Sequence, residues 1–252
     1  MTKDRDVLDK RFTALVAVLG VACATSGHLV GPAAAPPVGA GAGADPTEAV
    51  IHSLFLVGDA GWVRGPDPLL TEMAAQVAQA PGRSTVVFLG DNIYQAGLAA
   101  PGAPDRAVGE QALLLQIEVA RASGARAIFV PGNHDWDRSG PDGWEAILRQ
   151  GRFLEREGIE LLPSGGCPGP AVTDLGTDVR LVALDTEWWL RQGPKPQDPD
   201  SNCPADSEIE VLDALVQALA SAGGRHTVVV AHHPLASTGP HGGYFGWKDH
   251  LF

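Results

Sequence analysis

Four short segments of the chain combine a glycine or a proline with side chains that can bind a metal ion. They are GDAG at 58–61, GDNIY at 90–94, PGNHD at 131–135 and HHP at 232–234. Carboxylate and amide oxygens and imidazole nitrogens are common protein ligands of transition metals. A site for two adjacent ions needs a carboxylate that bridges them and terminal ligands that leave room for water and substrate. This mixture of side chains therefore favours a two-metal site.

The residue types also suggest separate roles within such a site. Asp91, the central carboxylate of the series, is the natural bridge. Asn133 offers a neutral carbonyl oxygen, which keeps its ion more electrophilic than a further carboxylate would. His134 follows directly, so it can hydrogen-bond a phosphoryl oxygen or protonate a leaving group. Asp135 is expected to orient His134 or to satisfy its own loop.

Each segment has a simpler interpretation when it is taken alone. A Gly-Asp pair after a strand commonly makes a turn or caps a helix. Asn133 alone could be a turn residue, and Tyr94 alone is more often a packing residue. Metal binding is favoured because four separate strand ends would otherwise all have to imitate ligands.

The elements that must position these segments can be inferred from the apolar pattern. It predicts strands at 53–57, 85–89, 127–130, 179–184 and 226–231. It predicts helices over about 68–80, 108–123, 144–157 and 207–222, with glycines beyond them at 82, 124, 158 and 223. Such alternation predicts a layered α/β domain with a largely parallel main sheet. Ligands of these sheets collect beyond the carboxyl ends of the strands, where the four segments lie.

Taken in order, GDAG, GDNIY, GNHD and VVAH resemble the first four blocks of the calcineurin-like metallophosphoesterase superfamily, over roughly residues 50–250. The superfamily commonly opens with Asp-x-His, whereas this chain has Gly61 in place of that His. The purple acid phosphatase branch fills the position with the Tyr of GDxxY, and Tyr94 stands there. The resemblance implies a layered α/β/β/α metallophosphoesterase sandwich with a phenolate ligand, which suits ferric iron.

The resemblance also implies a dinuclear metal centre with a defined ligand set. Asp59 and Tyr94 would bind Fe(III), and Asp91 would bridge the two ions. Asn133 and His232 would bind a divalent Fe, Zn or Mn ion.

The reaction implied is hydrolysis of a phosphate ester by hydroxide that the two metal ions activate. Phosphomonoesters are the favoured substrates, and phosphodiesters or pyrophosphate are the alternative. His134 would be catalytic, as a substrate-binding or general-acid residue. A further substrate-facing histidine is implied after His232; His241 is the best candidate and His233 a weaker one.

One block of the family pattern is missing. The superfamily completes its metal site with GHxH, and no such block occurs before Phe252. We therefore expect the chain to be a fragment of a longer enzyme, with a sandwich that is incomplete at its C-terminus. The alternatives are a natural chain with a weakened or single-metal site and a catalytically inactive, tethered binding domain.

Composition excludes some other classes of protein. The chain has 252 residues, of which 44% are hydrophobic and 19% charged, as suits one globular domain. Its formal net charge of −12 disfavours nucleic acid and anionic membranes as partners. It contains no Gly-rich nucleotide fingerprint and no nucleophilic Ser or Cys motif. Nothing in the sequence indicates an oligomeric state.

The N-terminus has the features of a bacterial export signal. Basic residues lead into an uncharged apolar run of 11 residues at 12–22, which is too short to span a bilayer. Lipoprotein-type cleavage before Cys23 and plain secretory cleavage after Ala24 are both open. Only a lipid on Cys23 would attach the protein to a membrane.

The expected organisation is a signal peptide at 1–24, an Ala/Gly/Pro-rich tether at 25–49 and the metallophosphoesterase domain at 50–252. The expected location is the bacterial periplasm or cell envelope. Because disulfides persist in such oxidising compartments, Cys167 and Cys203 are expected to form one.

Overall fold

The strands of the described residues form two sheets, and the first of these carries three of the four metal-capable segments. The structure is a computed structural model and describes residues 50–235 apart from 64, 81, 198 and 200. The sheet contains β1 (His52–Val57), β2 (Arg83–Phe88), β3 (Arg126–Phe129) and β4 (Glu160–Leu161), in that spatial order. Every neighbouring pair is parallel. The carboxyl ends of its strands therefore lie along one edge, as the sequence predicts.

The second sheet is smaller and mixed. It contains β5 (Ala171–Leu175), β6 (Val179–Ala183) and β7 (His226–Val230), in that order. The β5–β6 pair is antiparallel and the β6–β7 pair is parallel. The two sheets pack face to face through a cluster of buried side chains from both: Val87, Leu89, Ile128, Val130, Leu175, Leu181, Ala183 and Val230.

Three helices cover the other face of the first sheet. They are α1 (Pro68–Gln79), α2 (Arg106–Ser123) and α3 (Gly143–Arg156). Alternation along β2 divides the two layers, because Val86 and Phe88 join the helix-side core while Val87 joins the core between the sheets. The predicted α/β layering is thus confirmed.

Two further helices follow β6. They are the single-turn α4 (Glu187–Leu190) and α5 (Glu208–Ala220). Ser207 and Glu210 form a capping box that begins α5. Arg180 of β6 ties this helix to the second sheet by donating hydrogen bonds to the carbonyl of Ala218 and the hydroxyl of Ser221.

Of the remaining sequence predictions, the disulfide can be checked in the structure, and several others concern residues outside its described part. A disulfide joins Cys167 and Cys203, with their Cα atoms 5.5 Å apart, so the predicted pairing is present. Within the described residues, no helix is both long and apolar enough to cross a bilayer. The signal segment, Cys23, the tether, His241 and the C-terminal residues lie outside the described part of the chain.

Candidate metal centre

The predicted ligands from separate strand ends come together at one point. Asp59 follows β1, Asp91 follows β2, Asn133 follows β3 and His232 follows β7. Possible ligand atoms of Asp59, Asp91 and His232 all lie within 4.8 Å of one another. Two carboxylates and an imidazole at this spacing can hold a metal ion.

Tyr94 lies between the two carboxylates. Its Oη atom is 2.9 Å from Oδ1 of Asp59 and 2.9 Å from Oδ2 of Asp91. A phenol carries one hydrogen, so it can donate to only one of these oxygens at a time. Burial, and next the charges of Asp91 and Asp59, raise the pKa of the Tyr94 phenol far above its ordinary value. Without a cation, the three oxygens therefore share a single hydrogen; a cation would satisfy all three.

His232 and Asn133 form a second convergence of lone pairs. Nδ1 of His232 lies 2.9 Å from the carbonyl oxygen of Leu89, which can only accept, so Nδ1 carries the hydrogen of the neutral ring. Nε2 then presents a lone pair 3.1 Å from Oδ1 of Asn133 and 3.5 Å from Oδ1 of Asp91. Fixing the far ring nitrogen on a carbonyl is how proteins orient metal-binding histidines.

The charges at the centre also call for a cation. Neither Asp59 nor Asp91 forms an ion pair with a lysine or an arginine among the residues that the structure describes. Asp91 is 3% exposed, and a buried carboxylate without a cationic partner is costly even when it accepts hydrogen bonds. The donor set therefore fits a metal centre that spans Asp59, Tyr94, Asp91, Asn133 and His232.

His134 lies beside this centre. Its backbone N–H donates to Oδ1 of Asp91 at 2.9 Å, and its Nδ1 donates to the carbonyl of Gln95 at 2.6 Å. The other ring nitrogen, Nε2, lies 3.9 Å from Oδ2 of Asp91. The ring also packs against Tyr94, with 4.3 Å between the centroids. Nε2 thus lies beside the predicted ligands, with no hydrogen-bond partner among the residues that the structure describes.

The backbone is unusual where the ligands attach. Asp59 and Asp91 have φ values of 59° and 53°, in the left-handed region that few residues other than glycine adopt. At Gly90, φ is 97°, and a Cβ there would lie 2.6 Å from Nδ1 of His232 and 2.8 Å from Gly132. Strain of this kind clusters at functional sites and persists where the surrounding structure enforces it.

Asp135 satisfies the loops rather than the His134 ring. Its carboxylate accepts hydrogen bonds from the backbone N–H groups of Gly132 and Asn92 and from the Asn92 side chain, at 2.8–3.2 Å. Burial, and next the charge of Asp91, raise the pKa of this carboxyl. Asp135 thus joins the segment that carries Asp91 to the segment that carries Asn133. The contribution of Asn92 was missed, although it stands between two candidate ligands in GDNIY.

A second support was not predicted as part of the site. Asp185, after β6, accepts a 2.8 Å hydrogen bond from the Trp136 indole and also accepts from the N–H groups of Glu187 and Trp188, the first two residues of α4. Burial raises the pKa of Asp185 to about 8, against those three hydrogen bonds. The buried Arg191 donates to the carbonyl oxygens of Trp136 and Gly140. Asp185 and Arg191 thus fix the segment that begins at His134. Their role at the site is visible only from these long-range contacts, not from the sequence.

His233 belongs to a different set of contacts from His232. Its Nδ1 lies 2.8 Å from the hydroxyl of Thr186, and its Nε2 lies 3.9 Å from Oε2 of Glu187. Glu187 is buried and also accepts a hydrogen bond from Ser139 at 2.6 Å. His233 thus joins the segment at Thr186 and Glu187 to His232, whose ring centroid lies 4.9 Å from its own. His241, the stronger candidate for a substrate-facing histidine, cannot be placed beside it because it lies outside the described residues.

Comparison with known proteins identifies the family. The sequence profile of the calcineurin-like phosphoesterase family matches residues 52–251. The chain therefore belongs to the calcineurin-like phosphoesterases, which supports metal-dependent hydrolysis of phosphate esters. Comparison with curated proteins and with solved structures finds no significant match.

Proposed function

We propose that this phosphoesterase hydrolyses phosphomonoesters and resembles the purple acid phosphatases in its metal centre. Asp59 and Tyr94 would hold Fe(III), Asp91 would bridge, and Asn133 and His232 would hold a divalent Fe, Zn or Mn ion. The observation that carries the proposal is the Tyr94 Oη atom, 2.9 Å from both carboxylates. A tyrosine oxygen that gives up its hydrogen to bind a metal ion is a hard anionic ligand, so Tyr94 beside two carboxylates would favour a trivalent ion.

Metal ions bound by these residues would lower the pKa of a coordinated water and neutralise charge on the phosphoryl oxygens. The protein side chains supply the remaining chemistry. Nδ1 of His134 is held by the Gln95 carbonyl, so Nε2 is the nitrogen that would face a substrate. When protonated, Nε2 donates its hydrogen to the leaving oxygen as the ester P–O bond breaks. Water supplies the oxygen that replaces the alcohol at phosphorus, so the products are the free alcohol and inorganic phosphate.

Export to the periplasm or cell envelope is part of the proposal. It is supported by the disulfide between Cys167 and Cys203, because structural disulfides persist in oxidising compartments. It also agrees with an apolar N-terminal run of 11 residues at 12–22. Whether a lipid is attached to Cys23 decides between an anchored and a free enzyme.

The test is an assay of the full chain against p-nitrophenyl phosphate, a monoester, and bis(p-nitrophenyl) phosphate, a diester. Each is measured as purified, after metal removal by a chelator, and after Fe with Zn or Mn is restored. We expect metal-dependent hydrolysis that is faster for the monoester. Faster hydrolysis of the diester would move the assignment to phosphodiesterase, and no metal-dependent hydrolysis of either ester would favour an inactive binding domain.

A further inference from the structure

Four arginines line one surface pocket of about 270 Å³. Arg149, Arg152 and Arg156 lie three and four residues apart on α3, so their side chains share one face of the helix. Arg106, the first residue of α2, faces them. The other lining residues are Ala100, Pro101 and Glu145. We call this site the arginine pocket.

The two inner arginines are held in place by the protein itself. Arg106 donates from Nε to Glu110 and from Nη1 to the carbonyl of Ala99, both at 2.7 Å. Arg149 donates from Nε to the carbonyl of Leu98 at 2.6 Å and from Nη2 to Asp142. A guanidinium has five N–H groups, so within the described part of the chain each inner arginine has three left for a further partner. Their side chains are only 14% and 10% exposed, which limits the entropy that they lose on binding.

The two outer arginines supply positive charge that is not neutralised. Within the described part of the chain, Arg152 and Arg156 form no ion pair, and both are exposed. Arg156 instead lies over the Phe153 ring at 5.7 Å. Four guanidinium groups line the pocket together with one carboxylate, that of Glu145, while Glu110 and Asp142 pair with the inner arginines. This local excess of positive charge stands out in a chain with a net charge of −12.

We infer that the arginine pocket binds the phosphate group of a small phosphorylated molecule. Guanidinium groups match phosphate oxygens through paired, parallel hydrogen bonds, and several of them together favour a dianion over a carboxylate. The volume of the pocket lies just below the usual range of small-ligand sites, so it suits a small metabolite rather than a polymer. Ala100, Pro101 and the arginine stems offer apolar surface to the remainder of that molecule.

The pocket is separate from the metal centre but shares a segment with it. None of the predicted metal ligands lines the pocket. The segment that starts at Tyr94 and bonds His134 through Gln95 ends at Leu98 and Ala99, whose carbonyl oxygens are held by the inner arginines. A phosphorylated ligand bound there would therefore adjoin the loop that carries one predicted iron ligand. The inference is independent of the substrate that the metal centre hydrolyses.

The test measures the affinity of the full chain for inorganic phosphate at low ionic strength by calorimetry. Asp91→Asn is used as the background, so that binding at the metal centre contributes little. The Asp91→Asn background then carries one of two double substitutions. The pocket pair is Arg152→Ala/Arg156→Ala, and the control pair is Arg83→Ala/Arg121→Ala. The control pair removes the same charge from exposed positions outside the pocket.

We expect the pocket pair to weaken phosphate binding about tenfold or more, as follows from losing charge-assisted hydrogen bonds, and the control pair to change it little. Circular dichroism melts should show that both pairs fold, because all four residues are exposed. Equal affinity in the background and the pocket pair would overturn the inference. So would an equal loss in both pairs, since the effect would then be one of net charge alone.

Discussion

Nε2 of His232 lies 3.1 Å from Oδ1 of Asn133, although these residues are 99 positions apart and belong to strand ends of different sheets. With Nδ1 of His232 committed to the Leu89 carbonyl, the contact brings two lone pairs together. These lone pairs repel each other, and a cation bound by both atoms would replace that repulsion with two favourable contacts. The site is therefore shaped by the packing of the two sheets on each other.

Asp91→Asn should remove almost all phosphoesterase activity without unfolding the protein. Asp91 contacts Tyr94, His134 and His232, so replacing its carboxylate removes the one group shared by all of them. Asn is of the same size and tolerates the left-handed backbone found at this position. We expect kcat/KM to fall by about a hundredfold or more, with less metal bound per chain.

The matched control for this change is Asp213→Asn, on the exposed face of α5. It should retain activity and metal content. Metal content is measured by elemental analysis, and folding by circular dichroism. If Asp91→Asn keeps full activity, Asp91 does not bridge the metal ions.

Tyr94→Phe should remove the colour of the iron-loaded protein. A phenolate bound to Fe(III) absorbs visible light by charge transfer, and Phe removes only the oxygen that lies 2.9 Å from both carboxylates. The absorption spectrum of the iron-loaded variant is the measurement. Tyr244→Phe, at the only other tyrosine, is the control and should stay coloured. Persistent colour in Tyr94→Phe would show that another ligand produces it.

His134→Gln should slow esters with poor leaving groups more than esters with good ones. A general acid matters most when the leaving oxygen is strongly basic. We expect a loss of about a hundredfold for an alkyl phosphate and less than about tenfold for p-nitrophenyl phosphate. His226→Gln, at the exposed start of β7, should change neither rate. An equal loss for both esters would assign His134 to substrate binding instead of proton donation.

Much of the fold could be predicted because its buried strands are continuous apolar runs. The run at 85–89 is followed at once by Gly90 and Asp91, so both the strand and the ligand position can be inferred locally. β4 is not predicted from the sequence, because a strand of two residues shows no periodic pattern. β5 is not predicted either, because the polar Thr173 and Asp174 interrupt its apolar residues. This edge strand depends on antiparallel pairing with β6, which the local sequence does not show.

The candidate site divides in the same way. Its metal ligands can be predicted from their residue types at strand ends. The residues that hold those ligands in place can be recognised only from their tertiary contacts. Asp185 meets Trp136 across 49 positions, and Arg191 reaches Trp136 across 55. A buried arginine or aspartate has no sequence signature, because its solvation depends on partners that the chain brings together only when folded.

Gly90→Ala should destabilise the protein, whereas Gly58→Ala should not, although both glycines precede a predicted aspartate ligand. A Cβ at Gly90 would lie 2.6 Å from Nδ1 of His232, and its φ of 97° disfavours any side chain. At Gly58, a Cβ would meet no atom within 4 Å. We expect Gly90→Ala to lower the free energy of unfolding by about 2 kcal/mol or more and to reduce metal binding.

Urea unfolding of the two variants, beside the unchanged protein, is the measurement. Equal stability of the two variants would mean that the loop at Gly90 relaxes freely. That result would argue against a rigid positioning of His232 by the strand end of β2.

The stability of the protein should fall as pH rises, and Asp185→Asn should flatten that dependence. The pKa of Asp185 is about 8 in the folded protein and 3.8 as an ordinary aspartate. Between those values the folded protein holds a proton that the unfolded chain has released. Raising the pH therefore favours unfolding, by at most about 1.4 kcal/mol per pH unit from this group. Asn is neutral at every pH and removes the effect.

The measurement is the free energy of unfolding in urea from about pH 5 to about pH 8, for the unchanged protein and for Asp185→Asn. Asp135 also has a raised pKa and contributes to both curves, so the difference between the curves isolates Asp185. We expect the free energy of unfolding of Asp185→Asn to rise relative to that of the unchanged protein as pH rises. Parallel curves would mean that the hydrogen bonds from Trp136, Glu187 and Trp188 keep Asp185 ionised in spite of its burial.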